Sequence, residues 1–219
     1  MKTNLRMTEM WTRAADEYHA SLEDSPAADY LESRGLLDAA TDFKLGYVKK
    51  PAPGHEDRFK GMLAIPYQTP RGGVIGFKFR RLTSDLPKYD SPAGQRHHLF
   101  NVNAFRRAIA DIFVVEGELD AIAASHLGKL PAVAAPGVSS WKPHFTRCFD
   151  GYTRVIIITD NDAKDDEGRN PGDEFGKFLL ETLPNAIRVS LPAGVDVNST
   201  ITNYGIEYFS ALVDERLEV

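Results

Sequence analysis

Across 219 residues the chain has a single cysteine, Cys148. An intrachain disulfide is therefore impossible, and so is a cysteine-ligated zinc ribbon or finger. Long apolar runs are missing as well; no stretch approaches the roughly 20 residues needed to span a bilayer. The opening residues Met1-Lys2-Thr3-Asn4-Leu5-Arg6 lack the apolar core of a secretion signal. There is no internal repeat and no low-complexity tract. What is left is the expectation of a soluble, cytoplasmic globular protein with no membrane partner and no zinc. Its length suffices for one large domain or two small ones with real cores.

Positive charge is also scarce overall, with a formal net charge of −5. That balance looks wrong for a nucleic-acid binder, but it is unevenly spread. Residues 1–57 carry 7 basic and 11 acidic side chains, residues 58–107 carry 10 and 2, and residues 108–219 carry 9 and 18. A basic block beside an acidic one suits a polyanion groove next to a metal site.

The apolar pattern divides the chain in a similar way. Residues 8–23 read as an amphipathic helix with Thr8 as N-cap. Ser25-Pro26 opens a second helix, which ends near Arg34-Gly35. A short helix around 37–41 and a strand at 43–48 follow. Met62–Tyr67 and Val74–Leu82 read as two strands joined by the turn Pro70-Arg71-Gly72-Gly73. From residue 112 the rhythm changes. Strands near 112–115, 132–135, 155–159 and 187–191 alternate with helices near 119–127, 142–148, 172–183 and 204–213. Such alternation predicts a four-stranded parallel sheet flanked by helices. The expected fold class is α/β: an N-terminal α+β subdomain over 1–107, carrying the basic block suited to a polyanion, then a metal-binding domain over 108–219.

Parallel sheets gather their ligand sites at the carboxyl ends of the strands. Two acidic motifs sit at such ends. Ile112-Phe113-Val114-Val115 is followed by Glu116-Gly117-Glu118-Leu119-Asp120, and Val155-Ile156-Ile157-Ile158-Thr159 by Asp160-Asn161-Asp162. A third acidic point, Asp196 with Asn198, follows the fourth strand; taken alone, Asp196 is also an ordinary turn residue. Carboxylates gathered at one edge repel unless a cation sits between them, and hard oxygen donors favour Mg²⁺ or Mn²⁺. Glu116, Asp120, Asp160, Asp162, Asp196 and Asn198 are enough donors for two ions. The acidic run Asp165-Asp166-Glu167 reads as a solvated loop, and Asn170-Pro171 as the cap of the next helix. His97-His98 reads as basic surface, because adjacent residues of an extended segment point apart.

The order strand, Glu-Gly-x-x-Asp, helix, strand, Pro136-Gly137, strand, Asp-x-Asp resembles the TOPRIM domain, over roughly residues 110 to 200. The first half resembles the catalytic core of DnaG-type primases. The matching pieces are Tyr30-Leu31-Glu32-Ser33-Arg34-Gly35-Leu36, Phe43-Lys44-Leu45-Gly46-Tyr47, Ile65-Pro66, Gly72-Gly73-Val74-Ile75-Gly76-Phe77 and Pro87-Lys88-Tyr89-Asp90-Ser91-Pro92. The resemblance implies catalytic roles for Glu116, Asp160 and Asp162. It also implies nucleic-acid or nucleotide contacts for Arg80, Arg81 and Lys88, with Arg96 replacing a lysine of a longer family segment.

The family's zinc-binding and helicase-binding domains find no counterpart in these residues. Asn198 stands where cellular members have Asp, as in phage and plasmid members. The implied activity is that of a DNA primase: two-metal phosphoryl transfer building RNA primers from ribonucleoside triphosphates on single-stranded DNA during replication. A replicative helicase and a separate zinc-domain protein are the implied partners. A TOPRIM-type nuclease and a non-catalytic DNA-binding replisome accessory are the alternatives.

Overall fold

The computed structural model describes residues 5–85, 87–159 and 170–217. The chain forms two compact units, one ending at His98 and the other starting at Leu99. The expected boundary lay after residue 107. Residues 99–107 instead belong with the second unit, because Phe100 bridges to Ala134 and Leu99 and Ala104 are buried in that unit's core.

The first unit is an antiparallel sheet with a helical layer. Its elements are α1 (Leu5–Ala20), α2 (Pro26–Ser33), α3 (Ala40–Phe43), β1 (Gly46–Tyr47), β2 (Leu63–Gln68), β3 (Val74–Arg80) and β4 (Tyr89–Asp90). The strands run in sequence order, β1-β2-β3-β4, with a short turn joining β2 to β3. Ser25 caps α2 by accepting the Ala28 N–H at 3.3 Å, and Gly35 adopts the left-handed conformation (φ 65°). Thr8 is not a cap: α1 already runs through it, and the Thr8 carbonyl accepts the Thr12 hydroxyl at 2.7 Å.

Ala14, Ala15 and Tyr18 of α1 pack on Phe77 and Phe79 of β3 and on Phe59. Within this core the Tyr18 hydroxyl lies 2.7 Å from His55 Nδ1 and accepts the Ala52 N–H at 2.8 Å. His55 is walled by the rings of Tyr18, Phe59, Phe77 and Phe79. Burial pushes the imidazole pKa below its ordinary value, with Glu56 opposing, because a charged ring in an apolar box loses its hydration.

The second unit contains α4 (Ala104–Arg107), β5 (Asp111–Val115), α5 (Glu118–His126), β6 (Ala132–Ala134), α6 (Pro143–Thr146), β7 (Arg154–Thr159), α7 (Pro171–Thr182), β8 (Ala186–Ser190), α8 (Val197–Tyr204) and α9 (Ile206–Leu217). Its four strands are all parallel, in the order β6-β5-β7-β8. Alternate residues supply the two faces. Ile112, Val114, Val155 and Ile157 join Phe145, Phe149, Phe175 and Leu179 in one apolar cluster, which seats the helical segment 143–149 and α7. Phe113, Val115, Ile156 and Ile158 point the other way and are also buried. Strands buried on both faces explain the unbroken apolar runs in the sequence. The Arg154 guanidinium grips Asp111 through two bonds, of 2.9 and 2.5 Å, tying the starts of β7 and β5. Among the described residues no helix is long and apolar enough to cross a membrane.

Candidate metal centre and basic surface

The register fixes which chain segments leave the parallel sheet side by side. Val115 pairs with Ile158, and Thr159 with Ser190. Glu116 therefore follows β5 where Thr159 ends β7, and Leu191 follows β8 at the same edge. Asp160 and Asp162 continue from Thr159, but they lie outside the described residues, as do Asp165, Asp166 and Glu167.

Each remaining acidic candidate sits at a helix start. Gly117 is the N-cap of α5, and Asp120 lies within its first turn. Asp120 Oδ1 accepts the backbone N–H of Asn198 at 3.0 Å, across 78 residues of sequence. A Cβ at Gly117 would come within 2.4 Å of Asp120 Oδ2, so the close approach of this carboxylate requires glycine there.

Asp196 is the N-cap of α8. Its Oδ1 accepts the Ser199 N–H at 2.6 Å, while the Ser199 hydroxyl accepts the Asp196 N–H at 3.0 Å. This is a reciprocal capping box, formed with Ser at the third helical position rather than Glu or Gln. The helix expected at 204–213 is α9; α8 precedes it, and its signal in the sequence was the Asp196-to-Ser199 spacing. Asn198 is 1% exposed. One oxygen each of Asp120 and Asp196 is thus engaged at a helix N-terminus, where backbone N–H groups lack intrahelical partners.

Among the described residues no group of three or more His, Cys, Asp or Glu side chains forms a metal cluster. The donor chemistry nonetheless fits a hard divalent ion. The candidates at this edge are carboxylates and one amide, with no thiolate or imidazole among them.

The end of β7 has a further anchor that the sequence did not reveal. Arg188 on β8 donates from Nη1 to Asp173 Oδ1 at 2.7 Å and from Nη2 to Thr159 Oγ1 at 3.1 Å. It thereby joins the residue before Asp160 to the first turn of α7. A side chain at Gly176 would reach within 2.4 Å of the guanidinium. Lys177 adds a second cation at 2.8 Å from Asp173. Hydrogen bonds from Lys177 and Arg188 lower the Asp173 pKa from 3.8 to about 2. Asn170 caps α7, accepting the Asp173 N–H at 3.0 Å.

In the first unit the basic candidates divide. Arg80 is half-buried, and its guanidinium carbon stands 4.9 Å from the centroid of the Tyr30 ring and 5.0 Å from that of Tyr89. Its Nη1 donates to the Tyr89 hydroxyl at 2.7 Å. Arg81 donates to the Pro87 carbonyl at 3.0 Å and lies 3.9 Å from Asp90. Both arginines hold the β3–β4 connection. Lys88 and Arg96 are exposed. The short segment carrying Arg96 is pinned by its neighbour. The Gln95 amide accepts the Phe77 N–H at 2.7 Å and donates to the Phe77 carbonyl at 2.8 Å, so a side chain acts as a strand partner for β3.

A parallel sheet with acidic segments at its carboxyl edge is the architecture of Toprim-like domains, and residues 113–201 match that family. The chain is 41% identical over 151 residues to the Gene 57 protein of Mycobacterium phage D29, covering 67% of this chain and 94% of that protein. It superimposes on a DNA primase domain from Pseudomonas aeruginosa with a TM-score of 0.78 and 26% identity, covering 95% of this chain and 78% of that one. A DnaG primase catalytic domain bound to single-stranded DNA gives a TM-score of 0.74 and 25% identity, covering 97% and 83%. The chain belongs to the family of DnaG-type primase catalytic cores. It spans about a third of the length of the curated DNA primases it matches.

Proposed function

We propose that this chain is the RNA-polymerising core of a DNA primase, extending ribonucleotides on a single-stranded DNA template. The observation that carries the reading is the sheet register, which aligns the carboxyl ends of β5, β7 and β8 at one edge. The homology to primase cores supports the same conclusion, and a relative bound to single-stranded DNA supports that template.

In this reading Glu116, Asp160 and Asp162 hold a Mg²⁺ or Mn²⁺ ion. The segment from Asp196 to Asn198 helps hold a second one. A divalent cation bound there supplies charge neutralisation for the phosphoryl oxygens and favours the alkoxide form of an attacking hydroxyl. The chain's own contribution is positioning. The aligned strand ends set where the donor-bearing segments begin, and donors held there in advance would need little reorganisation at the moment of reaction. Lys88 and Arg96 offer exposed cations for template or triphosphate. Arg80 and Arg81 act chiefly by stiffening the loop that carries Lys88. A helicase and a separate zinc-domain protein are the partners that would recruit and select the template.

The test is to incubate the protein with single-stranded DNA, Mn²⁺ and labelled ribonucleotides. Growth of labelled polymer is expected. Shortening of the DNA without polymer would make the protein a nuclease, and binding with neither would make it an accessory factor.

A further inference from the structure

We propose that Asp120 is a positioning residue, whose carboxylate locks the segment after β8 to the segment after β5. This inference rests on the metal-centre reading above and assigns Asp120 a role distinct from that of an ion ligand. The first N–H groups of a helix have no intrahelical acceptor. Asp196 answers for the Ser199 N–H. The Asn198 N–H is answered from outside α8, by Asp120 Oδ1 at 3.0 Å.

Asp120 is itself in the first turn of α5. One carboxylate therefore stands at the positive ends of two helices, where negative charge is stabilised, and an ionised acceptor makes the stronger kind of hydrogen bond. Asp120 and Asn198 are both buried, at 6% and 1% exposure, so the bond is shielded from competing water. Asp120 Oδ2 occupies the space that a Cβ at Gly117 would need, within 2.4 Å of it, so a side chain there would displace the carboxylate. Glu116 is the next residue back along the chain. The geometry thus couples the position of Glu116 to that of Asp196 and Asn198 through a single side chain.

A ligand role and a positioning role respond differently to substitution. Asparagine keeps an oxygen that can accept the Asn198 N–H but loses the charge a hard cation needs. The experiment follows two quantities in wild type, Asp120→Asn, Asp120→Ala and Gly117→Ala. One is hydrogen exchange at the Asn198 amide, and the other is affinity for Mn²⁺ alone. Asp120→Asn, which keeps the acceptor and loses only the charge assistance, should change both by clearly less than Asp120→Ala, which removes the bond and should change both by about tenfold or more. Gly117→Ala should shift both in the same direction as Asp120→Ala, and it serves in its place if the alanine variant does not fold.

Joint movement of the two readouts across the variants supports the proposal. Loss of Mn²⁺ affinity with the Asn198 amide still protected makes Asp120 a ligand and overturns it. Loss of protection with unchanged affinity, or no change in either quantity, overturns it as well. Wild-type protein that binds no Mn²⁺ would remove the metal-centre reading itself, and this inference with it.

Discussion

The two units use their charged residues in opposite ways. In the unit ending at His98, cations are held by aromatic faces and by Asp90. Arg80 lies between Tyr30 and Tyr89, Lys78 stands over Tyr89, and Arg58 lies over Phe59 and bonds Asp90. In the unit starting at Leu99, backbone N–H groups of α8 hold Asp120 and Asp196, while Asp173, in the first turn of α7, is held by Arg188 of β8 and by Lys177. A charge in the sequence is therefore not equivalent to a charge offered to a ligand. The antiparallel unit consumes its most central arginines in packing and leaves Lys88 and Arg96 exposed. The parallel unit ties one oxygen of Asp120 and one of Asp196 to the first turn of α8.

If this contrast is right, breaking the parallel unit's edge should have the largest effect. Glu116→Ala or Asp160→Asn should lower the polymerisation rate by at least ~10²-fold, the scale of removing positioned charge from a transition state. Circular dichroism and thermal unfolding should stay near wild type, and full activity in a folded sample would remove the residue from the site. Next in size is Arg80→Ala. Removing two cation–π contacts and one hydrogen bond should cost about 2 kcal/mol of stability, read by denaturant unfolding. Lys88→Ala should leave stability unchanged but reduce the slope of log affinity against log salt by about 0.7 for single-stranded DNA. Equal stability losses in the two variants would erase the distinction between packed and offered cations.

The pH dependence sharpens the comparison further. The His55 pKa is lowered in the folded state, so the unfolded chain binds the proton more readily. Its contribution to stability is present above the unfolded value, near 6.5, and is lost as pH falls below it. Thermal unfolding measured from about pH 7.5 down to about pH 5 should show this loss, and His55→Gln should flatten it. The depressed Asp173 carboxyl acts further into acid. Its contribution is present above 3.8 and is lost as pH falls toward about 2. Because the group is solvent-screened, this effect should be the smallest of the set. Asp173→Asn should remove it, and an unchanged acid limb would show that Arg188 does not depend on this partner.

The strand positions and the parallel sheet were legible because buried strands advertise themselves: Val114 and Val115 or Ile156 to Ile158 have no polar residue to interrupt them. The edge position of Glu116 followed from that alone. The helix α8 was not legible, because Val197, Thr200 and Ile201 are β-branched and read weakly as helix. Its formation depends on the capping box at Asp196 and on the Asp120 bond from a distant element. Arg188 was hidden for a similar reason: its partners Asp173 and Thr159 lie 15 and 29 residues away, and no local pattern records them. Arg80 was identified as basic but not as packed, since the rings of Tyr30 and Tyr89 reach it only through the fold.

The central claim is a division of labour, with chemistry at the parallel sheet's edge and template contact on the antiparallel unit. Steady-state primer synthesis by Asp160→Asn and Lys88→Ala, titrated against template, tests it most directly. The account predicts that Asp160→Asn lowers kcat by ~10²-fold or more with little change in KM for template, and that Lys88→Ala raises that KM with kcat nearly intact. The reverse pattern, or the same pattern in both variants, would contradict it.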